Sequence, residues 1–209
     1  MCIVEMTKAH LPAVVKLHRD NITTGLTAWL GQRFCEHLYW GIRSSPYSFV
    51  LVYEDKHHQP LGFICCATNI SKMYKRIILQ RFFPMALSAI SKFLRPSVFK
   101  QALNAVKRPK MFKTGNYSEW KLPEAEIIAM AVSPDAQGKG IGTKLIQAAF
   151  EKFRSLGHEK VRAWTREDNE QATAFYQKRG FKLLGMRQYE TGRVCVLVAD
   201  LNKKDETTS

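Results

Sequence analysis

The amino-acid sequence predicts an α/β protein with a mixed, mainly antiparallel sheet of about seven strands and helices on both faces. Three observations carry this. Short runs rich in β-formers, at residues 47–53, 61–68, 124–132, 160–165, 181–186 and 194–201, alternate with stretches whose apolar residues recur at helical spacing. Two of these runs flank the polar turn Glu54-Asp55-Lys56-His57-His58-Gln59-Pro60, which reads as an antiparallel hairpin. A third run passes through VSPDAQGKGIG directly into an amphipathic helix. The chain has 209 residues and 45% apolar composition, which suits one slightly enlarged domain over residues 1–201 with a frayed tail at 202–209.

Taken in order, residues 2–6 are apolar enough for an edge strand, and Thr7 is placed to cap a helix through Asn21 with Leu11, Val14, Val15 and Leu17 on its inner side. After glycine breaks at Gly25 and Gly31, Phe34, Leu38, Tyr39 and Ile42 mark a second helix over about residues 30–43. Residues 70–115 read as short basic amphipathic helices broken at Pro84 and Pro96, a helical insertion over about residues 70–118. In the helix after the glycine turn, Leu145, Ile146, Ala149, Phe150 and Phe153 share one face, and Gly157 stops it. The sequence then continues strand, helix, strand: residues 160–165, a helix capped at Glu167-Asp168-Asn169 and ended at Gly180, and residues 181–186. A hairpin at Glu190-Thr191-Gly192 returns the chain into a last buried strand.

The formal net charge of +14 predicts anionic partners. Between Asp55 and Glu119 there is no acidic residue, while Lys56, Lys72, Lys75, Arg76, Arg81, Lys92, Arg95, Lys100, Lys107, Arg108, Lys110 and Lys113 all fall there. That charge suits a solvated face, an anionic membrane surface, or a phosphorylated or nucleotide-linked ligand. Nucleic acid ranks last because no reading motif accompanies the charge. No stretch reaches the roughly 20 apolar residues of a membrane span, and MCIVEMTKAH lacks a secretory layout, so a cytoplasmic location is expected, with peripheral membrane attachment left open. The five cysteines have no C-x-x-C spacing and read as free thiols, and the adjacent His57 and His58 read as turn residues. No metal is expected.

Gly138, Gly140 and Gly142 strip side chains from the turn, so that backbone N–H groups can converge on a phosphate at the helix N-terminus. The spacing fits neither a P-loop nor the dinucleotide fingerprint, since the third glycine comes one residue too early. What stands instead is Gln137-x-x-Gly140-x-Gly142 after a strand, followed by Asn169-x-x-Ala172-x-x-Phe175-Tyr176-x-x-x-Gly180-Phe181. This pair of motifs resembles the GNAT acetyltransferase superfamily over about residues 124–181.

The resemblance implies an N-acetyltransferase that uses acetyl-CoA. Its pyrophosphate would sit on the backbone of Gln137, Gly138, Lys139, Gly140, Ile141 and Gly142, with the Thr143 hydroxyl added. Its pantetheine would pair with the main chain of Met130, Ala131 and Val132 where two strands splay apart, and an N–H near Met130 would polarise the thioester carbonyl. Asn169 would contact the cofactor amide, although capping a helix is reason enough for it to be there. An amine must lose its proton to attack. Glu126, six residues before Val132, stands where several family members carry a catalytic glutamate, and Glu124 is expected on the same strand face. Tyr176 matches the family's general acid; a phenol near pKa 10 can donate to a developing thiolate. A strand-end charge for either glutamate and a core aromatic for Tyr176 are the plain alternatives.

The insertion ahead of the glutamate strand departs from the family pattern and bears on the acceptor. The expected acceptor is a primary amine on a small, phosphorylated or nucleotide- or sugar-linked molecule. A protein or peptide amine is the alternative within this activity; a non-catalytic acyl-CoA sensor or a peripheral membrane-binding protein is the alternative outside it. Oligomeric state does not follow from the sequence.

Overall fold

The computed structural model describes residues 2–22, 26–93, 122–189 and 192–202. Its elements in chain order are β1 (Cys2–Glu5), α1 (Leu11–Asn21), α2 (Leu26–Arg43), β2 (Ser48–Glu54), β3 (Pro60–Ala67), α3 (Ile70–Phe93), β4 (Glu126–Val132), a 3-10 turn (Pro134–Ala136), α4 (Ile141–Ser155), β5 (Lys160–Arg166), α5 (Glu170–Gln177), β6 (Lys182–Tyr189) and β7 (Gly192–Asp200). The strands form a seven-stranded sheet in the order β1-β2-β3-β4-β5-β7-β6. Only β4 and β5 run parallel; every other pair is antiparallel. The expected mixed, mainly antiparallel sheet is present.

Strand alternation splits the core into two layers. On one side Phe49, Leu51, Ile64, Cys66 and Ile127 meet Leu145, Ala149 and Phe153 of α4 and Tyr176 of α5. On the other, Val50, Val52, Phe63 and Cys65 meet Val14 and Val15 of α1, Tyr39 and Ile42 of α2, and Met73 and Ile77 of α3. Side chains such as Leu145 and Phe153 have no exposed surface, so each contributes about 1.5–3 kcal/mol of apolar burial. Four of the five free cysteines, Cys35, Cys65, Cys66 and Cys195, are buried in these layers; Cys2 is exposed.

Several boundaries differ from expectation. Thr7 does not cap α1: the helix begins at Leu11 behind His10, whose Nδ1 accepts from the Thr7 N–H at 3.1 Å. Pro12 explains the shift, because a residue without an N–H costs least in a first turn. Gly31, with φ of 83°, does interrupt α2, but helix already precedes it from Leu26. Pro84 does not break α3, which runs through it. The proline removes one N–H, while Met73 and Ile77 hold the helix against α2, where a Cβ on Gly41 would lie 3.2 Å from Ile77. Pro96, the rest of the insertion and the tail from residue 203 lie outside the described residues. No described helix is long and apolar enough to cross a membrane.

Candidate acyl-CoA site

The site begins with a change in strand pairing. β4 pairs with β3 along its whole length, from Ala67↔Glu126 to Gly62↔Val132, but with β5 only at Glu126↔Arg162 and Ile127↔Ala163. Beyond Ile127 the parallel strands part, leaving the β5 side of Met130, Ala131 and Val132 open. A bulge accompanies the split: the register jumps from Cys66↔Ile127 to Cys65↔Ala129, so Ile128 has no partner on β3. Such a bulge adds local twist and re-aims the backbone.

A cleft of about 440 Å³ lies against this open edge. Met130, Ala131, Val132, Gln137, Gly138, Gly140, Ile141, Gly142, Thr143, Asn169 and Tyr176 all line it, together with Asn21, Ala136, Gln171, Ala172, Phe175 and Arg179. Lys139 does not. Its Nζ turns back to donate to the Asp135 carbonyl at 2.8 Å, so in this structure only its backbone borders the cleft's glycines.

Gly138 and Gly140 adopt φ of 76° and 75°, the left-handed region that a side chain resists, and nothing lies within 4 Å of a Cβ built on either. Gly140 caps α4 without a side-chain hydrogen bond, so the first-turn N–H groups of Ile141, Gly142 and Thr143 are left for a ligand. The Gln137 side chain donates to the Val132 carbonyl at 3.2 Å and ties the turn to the end of β4. Gly142 has a different reason to be glycine. A Cβ there would come within 3.1 Å of the Phe175 ring, so this position is set by packing between α4 and α5 rather than by backbone conformation.

Tyr176 is buried against Phe181, at 5.0 Å between ring centroids, and Phe175, at 5.7 Å. Burial first, then the neighbouring Cys66, pushes its phenol well above the ordinary value, so it holds its proton throughout the neutral range. Asn169 caps α5, its Oδ1 accepting from the Ala172 N–H at 3.0 Å, while also facing the cleft.

Glu126 lies apart from these residues, at the far end of β4. Its Oε2 accepts from Arg162 Nε at 2.7 Å in a pair whose side chains are only 12% and 14% exposed. Its charge also reaches Tyr74 on α3, whose phenol is pushed up to about 12 by burial and then by Glu126. The Arg162 and Arg187 guanidinium groups both lie by the Trp164 ring, at 5.7 and 5.1 Å from its centroid. Glu124, expected on the same strand face, is not on the strand at all. It precedes β4, is exposed, and accepts from Asn69 Nδ2 at 2.9 Å.

Arg179 and Phe175 are the cleft residues whose roles the sequence reading missed. Arg179 lies over Phe175 at 3.9 Å and donates through Nη2 to Thr143 Oγ1 at 2.6 Å. The only advance signal was spacing: on a helical turn Arg179 falls one turn after Phe175. Among the described residues, no group of three His, Cys, Asp or Glu side chains is placed to hold a metal ion.

Fold and site together define a class: an α/β protein whose split sheet opens beside a glycine turn at a helix N-terminus. The model of the acetyltransferase (GNAT) family matches residues 105–181 of the chain. A mycothiol acetyltransferase from Saccharomonospora viridis is 40% identical over 60 residues, 29% of this chain and 20% of that protein. An uncharacterised N-acetyltransferase from Methanocaldococcus jannaschii is 41% identical over 58 residues, 28% of this chain and 26% of that protein. The matched stretches thus span about a quarter or less of these relatives. A GCN5-related N-acetyltransferase from Kribbella flavida shares the fold, with a TM-score of 0.62 at 15% identity over 95% of this chain and 96% of that one. So does a spermidine N-acetyltransferase from Vibrio cholerae, with a TM-score of 0.60 at 15% identity over 96% and 95%.

Proposed function

We propose that the protein is an acetyl-CoA-dependent N-acetyltransferase acting on a primary amine of a small acceptor that carries phosphate or a nucleotide. The observation that carries this is the parting of β4 from β5 directly beside the glycine turn, which offers unpaired strand backbone and unpaired helix N–H groups to a single extended ligand. Both kinds of backbone group suit acetyl-CoA, whose pantetheine arm has amides and whose other end has phosphates. When bound, that cosubstrate supplies an acetyl group activated as a thioester.

This chain's residues then have distinct tasks. The N–H groups from Gly138 to Thr143 hold the pyrophosphate, and Met130 to Val132 pair with the pantetheine arm, aiming an N–H near Met130 at the thioester carbonyl. Tyr176, buried with its proton retained, donates to the departing sulfur. Glu126 accepts the proton of the attacking amine, and Arg162 fixes its carboxylate. Arg187 beside Trp164, on the sheet near the Glu126–Arg162 pair, adds a cationic, aromatic surface that would suit an anionic acceptor.

The fold alone leaves the acceptor open, since structural neighbours include enzymes named for spermidine and for ribosomal-protein alanine. A panel of primary amines, phosphorylated and plain, with an N-terminal peptide included, is incubated with acetyl-CoA and read as CoA thiol release. Release with phosphorylated or nucleotide-linked amines is expected. Release with the peptide alone would replace the acceptor, and CoA binding without release from any amine would leave an acyl-CoA sensor. α3 supports a second contact: Ile78 and Leu79 are 57% and 75% exposed beside exposed Lys72, Lys75 and Arg76, a composition suited to an anionic membrane surface.

A further inference from the structure

Arg179 is the cation among the residues lining the cleft, and one of its three nitrogens has no hydrogen-bond partner. Nη1 donates to the Phe175 carbonyl at 3.0 Å and Nη2 to Thr143 Oγ1 at 2.6 Å, with the guanidinium plane lying over the Phe175 ring. Nε is buried and has no hydrogen-bond partner. A buried guanidinium donor without an acceptor costs free energy, and burial already works against the charge of this side chain. The Thr143 hydroxyl is committed in the complementary sense. Because its oxygen accepts from Arg179, its proton is the part left to donate. The carbonyl that a helical threonine usually bonds lies four residues back, here Lys139, which precedes the Gly140 cap.

We infer that Arg179 is a phosphate-binding residue for the pyrophosphate of the bound acyl-CoA: its Nε donates to a phosphate oxygen, and its Nη2 turns the Thr143 hydroxyl proton toward the same anion. The pyrophosphate is the phosphate meant, because Thr143 stands in the first turn of α4, beside the N–H groups that the glycine turn leaves open. Phe175 serves as the platform, held in turn by the missing side chain at Gly142. This inference rests on the acyl-CoA reading and adds to it a charged group in the cleft, which Lys139 of the turn does not line.

Calorimetric titration with CoA tests it. Arg179→Gln weakens CoA binding about tenfold to a hundredfold, the range for loss of a charge-assisted hydrogen bond. The same loss is expected with dephospho-CoA, which keeps the pyrophosphate and lacks the 3′-phosphate. Thr143→Val, which leaves the Arg179 stack in place, weakens binding severalfold, and the two substitutions together cost less than their product. In the unaltered protein, the Arg179 Nε–H proton signal moves downfield when CoA is added, a readout that needs no variant to fold. If the unaltered protein does not bind CoA, the acyl-CoA reading fails and takes this inference with it. If it binds, but Arg179→Gln binds equally well or the Nε–H signal stays in place, the Arg179 role alone is overturned. A loss seen with CoA and absent with dephospho-CoA would overturn the assignment to the pyrophosphate.

Discussion

Gly142→Ala separates packing from propensity at the centre of the cleft. Inside a helix, alanine in place of glycine ordinarily stabilises by about 1 kcal/mol. Here the added Cβ would lie 3.1 Å from both Cε2 and Cζ of Phe175, so the ring must give by a few tenths of an ångström. Overpacking of that kind costs about 1–3 kcal/mol, which cancels or outweighs the gain and leaves a net loss of at most about 2 kcal/mol. At about 2–4 °C per kcal/mol for a chain of this length, the melting temperature falls by at most about 8 °C. Binding should suffer more, because the displaced ring carries Arg179, and Arg179 holds Thr143. A loss of CoA affinity of about tenfold is expected by calorimetry, equivalent to about 1.4 kcal/mol. Gly157→Ala is the control. It sits at φ of 81° beyond the other end of α4, with nothing within 4 Å of its Cβ, so it loses about 1 kcal/mol of stability and leaves CoA affinity unchanged. A Gly142→Ala protein that melts higher by the full helix gain and binds CoA normally would refute the reasoning.

Tyr176→Phe removes a hydroxyl from a buried ring: turnover should fall about 10²- to 10⁴-fold in the thiol-release assay with CoA affinity nearly unchanged, and normal turnover would remove Tyr176 as the acid. Glu126→Gln should lower turnover while the amide keeps a bond to Arg162; a fall in melting temperature with full turnover would make the pair structural only. Glu54, 5% exposed and bonded to His58 at 3.0 Å and His10 at 2.6 Å, has its carboxyl held below the ordinary value, by the His58 bond first, against the opposing effect of burial. A lowered folded value stabilises above the unfolded value of about 4.5 and is lost as pH falls below it, so His58→Gln should move the acid-unfolding midpoint upward. Ile78→Asp with Leu79→Asp should weaken sedimentation with anionic vesicles at low salt, and an unaltered protein that never sediments would dismiss the membrane contact.

The order of strands and helices was legible because its signals are local: alternation in residues 47–53, the spacing of Leu145, Ala149 and Phe153, and glycines where the backbone turns left-handed. Most of the cleft was legible too, since β4, the glycine turn and the start of α4 are consecutive in the sequence and α5 carries its own motif. What was not legible depends on which distant residues meet. The Glu126–Arg162 pair exists only because β4 and β5 align in parallel at Glu126↔Arg162, a register that neither segment encodes alone. Gly142 could be recognised as small, but not as small for the sake of Phe175. α3 was misread at Pro84 because a proline's local cost says nothing of the packing that offsets it.

The place of the Glu126–Arg162 pair bears on the chemistry. It occupies the first of the two rungs that join β4 to β5, and beyond the second the sheet opens. Largely burying two charges there carries a desolvation cost that an apolar pair would avoid, so stability alone is a weak reason for it. A carboxylate bonded across the closed end of the split fixes that end and, on the proposed reading, keeps a proton acceptor there. The bulge at Ile128 lies between this pair and the open backbone of Met130 to Val132. Glu126 and the open backbone of Met130 to Val132 therefore belong to one strand, held at one end by charge and at the other by the glycine turn. Changing the rung at Glu126 should alter how an amine is received before it alters how CoA is held.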